Sequence, residues 1–300
     1  MAALQNLELP CLQALLGRLS PLPAVVGDEF SLSPPHERAL AQALGLSFDD
    51  GLIPWAALQA SQRSDLAPTG GAWAFITLCH WQVNTHHIAM SHLPLPELSG
   101  PESDELLAAM RPYFEEDGIL LHTDQPGRWL AQAGVFADIA SASTDRVVGR
   151  NLEVWMPRSK PAAPLRRLQN EMQMLLYTHP INDARAARGL PSVNSFWLSG
   201  TGALPPKYVL AAPSESPTVI DSLRGHLLTG NWPAWSLAWQ ALDANQIKSA
   251  LLAQSSGQPV QITLCGERSS QSWQIRPTPM WQVFKRFFGR TRLSDLLGKL

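Results

Sequence analysis

The residues best suited to chemistry fall between 166 and 202, in RRLQNEMQMLLYTHPINDARAARGLPSVNSFWLSGTG. Asn170, Glu171, His179, Asn182, Arg185 and Asn194 gather there around a helix end, a turn and a strand end, beside Arg166, Arg167, Asp183 and Arg188. A guanidinium forks onto two oxygens, and amides and an imidazole add further hydrogen bonds. The set therefore suits a small anionic ligand, a phosphate or a carboxylate. In α/β folds such ligands sit at the carboxyl ends of strands. A second reading keeps the same residues as scaffold: Asn182 and Asp183 are good helix caps, and Arg–Asn–Glu networks hold loops.

Other chemistries find less support. His80, His86 and His87 share a window, but on one extended strand His80 and His86 are about 20 Å apart. They meet only if Asn84 and Thr85 turn the chain. His179 and Asp183 are four apart, with Pro180 placing His179 at or outside a helix start, so no metal site is assigned. No nucleophile elbow occurs, and Cys79-His80 are neighbours that point to opposite strand faces. Gly200-Thr201-Gly202 lacks the Lys-Ser/Thr and helix of a phosphate loop, since Leu204-Pro205-Pro206 follows, and it reads as a turn. No cofactor is predicted.

Composition narrows the field. Of 300 residues 45% are hydrophobic, and 11 Trp, 9 Phe and 3 Tyr cannot sit in a solvated coil, so the chain folds. A net charge of −2 argues against nucleic acid as the partner. Cys11, Cys79 and Cys265 are far apart and odd in number, which reads as reduced thiols. With no run of 18 apolar residues and no signal-type N-terminus, the expected location is cytoplasmic.

These residues need positioning elements. Helices are expected at 8–20, from Ser33 to about Gly45, at 101–116 and at 164–178, where Leu165, Leu168, Met172, Leu175 and Leu176 form a stripe. Strands are expected at 72–83, 119–122, 128–131, 152–156 and 193–200. From there the pattern alternates: strand 207–212, helix 216–228, strand or short helix 236–243, helix 245–256, strand 260–265. Such alternation predicts an α/β fold with a mainly parallel sheet and helices on its faces.

One family resembles this order of residues. In the archaeal-type cofactor-independent phosphoglycerate mutases, of the alkaline phosphatase superfamily, a helix is followed by His-Pro-Val-Asn, an Arg, a Gly and Ala-Asn. A strand ending Arg-Gly-x-Gly comes next. Here the run is His179-Pro180-Ile181-Asn182, Arg185, Arg188, Gly189, Asn194, then Ser199-Gly200-Thr201-Gly202, with Ser199 in place of the Arg. Residues 80–110, 118–130 and 9–19 look similar in the same order, with Arg128 kept in the second; the nearest group resembled is the proteobacterial regulatory type called RpfE. The resemblance implies an alkaline-phosphatase-like core at 1–71 and 190–280, interrupted by an α+β insert at 72–189. It also brings Arg128 and Arg150 to the candidate anion site.

The resemblance stops at the metals. The superfamily clamps a phosphoryl group between two divalent ions about 3.5–4 Å apart. Its ligands come from an early Asp and nucleophile, an Asp-x-x-x-His, an Asp-His and a later His. This sequence has neither Asp-x-x-x-His nor Asp-His, and only eight residues precede the Leu9 helix, where the first strand should lie. Glu267-Arg268 stand where Gly-Asp-His would, and Arg cannot ligate a metal. Two roles follow: a non-catalytic, degenerate relative that regulates or binds a ligand or partner, or a phosphomutase or phosphatase working from 166–202 with Arg128 and Arg150. The stretch Trp281–Leu300 is basic and aromatic, an amphipathic segment suited to an anionic membrane surface or a partner groove, or to docking on its own core.

Overall fold

The computed structural model describes residues 7–66, 71–85, 87–91, 95, 97–209, 216–275 and 296–300. In chain order its elements are helix α1 (Pro10–Arg18), the short strands β1 (Ser20–Pro21) and β2 (Val25–Val26), and helices α2 (Pro35–Ala43) and α3 (Trp55–Ser61). Strands β3 (Ala72–Cys79), β4 (Trp81–Val83) and β5 (Ile88–Met90) follow, then α4 (Gly100–Glu116), β6 (Leu120–Gln125), β7 (Arg128–Gln132) and the single turn α5 (Thr144–Val147). Next come α6 (Ala163–Tyr177), α7 (Pro180–Ala187), β8 (Ser195–Ala203), α8 (Arg224–Leu228), α9 (Trp232–Leu242), α10 (Lys248–Ser255), β9 (Gln261–Cys265) and β10 (Ser269–Gln274). The chain divides into two compact units, one of 1–29, 34–43 and 217–300, the other of 30–33 and 44–216.

The second unit is built on a four-stranded sheet in the order β6-β7-β3-β8. Strand β3 (AWAFITLC) lies at its interior and is buried along nearly all its length, as its β-branched and aromatic composition demands. Ala74, Ile76 and Leu78 point with Trp129 and Phe196 to one face, under Leu106, Met110 and Phe114 of α4 and Leu168, Met172 and Leu176 of α6. Trp73, Phe75 and Leu130 point to the other face, onto Ala56, Ala57 and Ala60 of α3. Helix α4 starts with a capping box, Ser99 Oγ accepting the Glu102 N–H and Glu102 accepting that of Ser99. It runs on through Pro112, where the sequence predicts a kink or a last turn. The β6–β7 hairpin and helix α6 form where expected.

The first unit places β10 between β9 on one side and β1 and β2 on the other. Its core is Leu12, Leu15, Leu19, Trp239, Leu242, Leu264 and Trp273. The rings of Trp232, Trp235 and Trp239 on α9 meet edge to face at 6.0 and 6.1 Å. Between α9 and α10 the residues Asp243–Ile247 form one turn of π-helix. Asp243, 4% exposed, accepts the N–H groups of Cys11 (3.0 Å) and Leu12 (2.7 Å). It caps α1 from the far end of the unit, because Leu9 at the N-cap has no side-chain acceptor.

Three expectations are corrected. The parallel sheet is not found: every ladder between the described strands is antiparallel. The strand at 260–265 returns through Gly266–Arg268 as a hairpin, and a turn that short can only reverse direction. Of the alternation after 203, 207–209 is not strand, 210–212 lies outside the described residues and only Arg224–Leu228 of 216–228 is helical, while 236–243, expected as strand or short helix, is mostly helix. The strand expected at 152–156 is instead a 3₁₀ turn at Leu152–Val154 running into a bend, because the Asn151 side chain accepts the Glu153 N–H and curls the chain. Strand β8 pairs with β3 across seven residue pairs from Ala72–Ala203 to Cys79–Ser195.

Gly200-Thr201-Gly202 is a bulge in β8, where the pairing shifts between Trp73 and Phe75. Gly200 has φ +63°, and a Cβ there would lie 2.9 Å from the Phe75 ring. The bulge turns Thr201 inward. Its hydroxyl lies 2.7 Å from the Ile139 carbonyl, 2.9 Å from the Ser141 hydroxyl and 3.1 Å from the Gly51 carbonyl.

Candidate functional site

His179, Asn182, Arg185 and Asn194 do come together, and what they hold is backbone. His179 caps α7, its Nδ1 accepting the Ile181 N–H at 3.4 Å. Asn182 Nδ2 donates to the carbonyls of Leu176 (2.7 Å) and Val193 (2.8 Å), and its Oδ1 accepts the Val193 N–H (2.8 Å). Arg185 is fully buried, with Nε donating to the Pro191 carbonyl (2.9 Å), and burial lowers its pKa from the guanidinium value. Asn194 Oδ1 accepts the Trp81 N–H (2.7 Å) while Nδ2 donates to the Trp81 carbonyl (2.8 Å), so a side chain stands in for a strand partner. His80 Nδ1 completes the group, 2.8 Å from the Ser192 carbonyl. These contacts fasten residues 190–194, the segment that delivers the chain into β8.

The other four candidates stand elsewhere. Asn170 is exposed on α6, and Glu171 pairs with Arg167 of the same helix at 3.4 Å. Arg150 follows α5, its N–H bonded to the Val147 carbonyl at 3.0 Å. Arg128 on β7 is neutralised by Asp124 (2.7 Å), donates to Gln59 (3.1 Å) and lies 4.3 Å over the Phe75 ring. The chain does turn at Asn84, whose N–H bonds the His87 carbonyl in the β4–β5 hairpin; His86 lies outside the described residues. Among the described residues no three His, Cys, Asp or Glu side chains come within reach of one metal ion. The two-metal centre implied by the resemblance does not fit them.

Beside Asp124 on β6 is His122, its ring 5.4 Å from that of Trp73 and its Nε2 buried without a hydrogen-bond partner. Burial, then Arg63 and Arg111, lowers its pKa, while Asp65 opposes. A depressed folded value means the unfolded chain takes up the proton first. Stability is therefore complete above the unfolded value of about 6.5 and is lost as pH falls through the folded one. His122→Phe keeps the ring against Trp73 and should flatten urea midpoints between pH 7 and 5; an unchanged slope would refute the assignment.

Concavity occurs just before the polar stretch, with only Arg166 of that stretch lining it. Glu153, Met156, Arg158 and Arg166 line an open depression of 420 Å³ between the 3₁₀ turn at 152–154 and the start of α6. Arg158 donates to the Glu153 carbonyl (2.9 Å) and Arg166 to the Pro157 carbonyl (3.0 Å). The adjoining void under Pro157, Leu165 and Phe196 holds about 10 Å³, room for one water. None of the eight candidate residues lines either space. Arg158 lies in a Pro-rich connector, so its sequence signal was only a basic residue among prolines.

With this geometry in hand, the chain can be set beside known proteins. No family model and no curated protein matches it. Among solved structures it is similar to the cofactor-independent phosphoglycerate mutase from Thermoplasma acidophilum DSM 1728, at 14% identity and TM-score 0.37 over 99% of this chain and 93% of that one. It is similar as well to the PH0037 protein from Pyrococcus horikoshii, at 14% identity and TM-score 0.45 over 99% and 90%. Both likenesses are distant. No described helix is long and apolar enough to cross a membrane.

Proposed function

We propose that this chain is a non-catalytic relative of the cofactor-independent phosphoglycerate mutases, of the RpfE regulatory type, acting in the cytoplasm by binding a ligand or partner. What supports the reading is the fate of the His179–Asn194 group. His179, Asn182, Arg185 and Asn194 are committed to main-chain atoms of Ile181, Leu176, Val193, Pro191 and Trp81, and a second strand of support is the lack of Asp-His and Asp-x-x-x-His. The same reading gives the basic, aromatic stretch Trp281–Leu300 to a partner or an anionic membrane surface; 276–295 lie outside the described residues, and at its end Leu296, Leu297 and Leu300 pack against the core of the first unit.

Purified protein supplied with Mn²⁺, Zn²⁺ or Mg²⁺ should turn over neither 2- nor 3-phosphoglycerate. Chelator-sensitive turnover would overturn the reading. Loss of that turnover in His179→Ala and Arg185→Ala would favour the phosphomutase or phosphatase alternative.

A further inference from the structure

We propose that the depression formed by Arg158 and Arg166 is a binding site for the doubly charged oxyanion of a small organic molecule, a phosphomonoester or a dicarboxylate. The inference deepens the binding role above and rests on it.

The first support is charge. Arg63, Arg128, Arg167, Arg188 and Arg268 each have a carboxylate within ion-pair distance: Asp65, Asp124, Asp117, Glu102 and Glu29. Arg158 and Arg166 have none among the described residues, and both line one concavity. Glu153 is the one carboxylate of the lining and forms no ion pair with either, so the two guanidiniums leave a net positive charge there.

The second support is preorganisation. Each guanidinium donates to a main-chain carbonyl behind it and has five N–H donors in all, so several stay available for a bidentate contact. The carbonyls belong to Glu153 and Pro157, flanking the buried Trp155 side chain, and Arg166 stands on the first turns of α6. Little side-chain freedom is then left to lose on binding.

The third support is size. A space of 420 Å³ falls in the range of about 300–1,000 Å³ common for small-molecule sites. It holds more than a bare oxyanion, and Met156 offers an apolar, adaptable wall for the rest of the ligand.

Titration calorimetry of the full chain with phenyl phosphate, phenylmalonate and inorganic phosphate tests this. At least one organic probe should bind, more tightly than inorganic phosphate and more weakly as salt rises; whichever wins names the ligand type. Arg158→Gln and Arg166→Gln should each weaken that probe about tenfold or more. Arg167→Gln, which removes the same charge one residue away but off the depression, should leave affinity unchanged. Arg158 is exposed, so R158Q keeps the test valid if R166Q fails to fold, as thermal melts will show. The site falls if no probe binds at millimolar concentration, if R158Q binds like wild type, or if R167Q weakens binding equally. Binding accompanied by hydrolysis of phenyl phosphate keeps the site and removes the non-catalytic reading. Absence of both removes the site alone.

Discussion

Asp243→Ala should lower the stability of the unit it belongs to by about 4 kcal/mol, since hydrogen bonds to a charged group contribute about 1.5–3 kcal/mol each and two are lost together. The carboxylate is buried and accepts two adjacent amides at the start of α1. Alanine would leave both N–H groups facing a void, with no replacement at Leu9. Asparagine restores one acceptor but turns an N–H group toward a donor and removes the negative charge that favours a helix start. Asp243→Asn should therefore fall between wild type and alanine. Urea titration gives the order, and amide exchange at Cys11 and Leu12 localises the loss. Equal midpoints for wild type and D243A would refute the role.

The second large effect concerns Asn182, at the centre of the His179–Asn194 group. Asn182→Ala removes three side-chain hydrogen bonds that tie α7 to Leu176 and Val193, at about 1 kcal/mol each. A loss of about 3 kcal/mol in unfolding free energy is expected, with anion affinity at Arg158 and Arg166 unchanged. Asp183→Ala, next in sequence but exposed, should cost under about 1 kcal/mol. If N182A instead kept full stability and lost ligand affinity, Asn182 would be a binding residue after all.

How much of this was legible beforehand depends on range. Helix α6 shows in sequence because Leu165, Leu168, Met172 and Leu176 repeat at the helical period over four turns. The β6–β7 hairpin shows because two strand-forming runs flank Pro126-Gly127. Strand β10 was missed. Its sequence, SSQSWQ, has no apolar alternation, and its buried Ser269 and Ser270 are tolerated only because neighbouring strands and the backbone of Lys299 and Leu300 bond them. Sheet direction was misjudged for a similar reason, because it is fixed by which strands meet and not by their order.

The site residues divide the same way. Their types made an anion contact reasonable for Asn182, Arg185 and Asn194, yet the same donors and acceptors serve main-chain atoms equally well. Only the placement of Trp81, Pro191 and Val193 decides between the two uses. Arg158 and Arg166 gain their interest from what does not approach them, and a missing carboxylate cannot be read from composition.

The bulge in β8 also bears on how the protein behaves when crowded. Strand β8 closes one side of its sheet, and an open side of regular backbone is a template for fibril-like pairing between molecules. Here Gly200 and Gly202 break the two-residue rhythm that any incoming chain would need, and the Gln169 amide already occupies the Phe196 carbonyl at 3.3 Å. A Gly pair in a loop-like Gly-x-Gly thus makes this margin of the sheet a poorer template for intermolecular pairing than a regular strand would be.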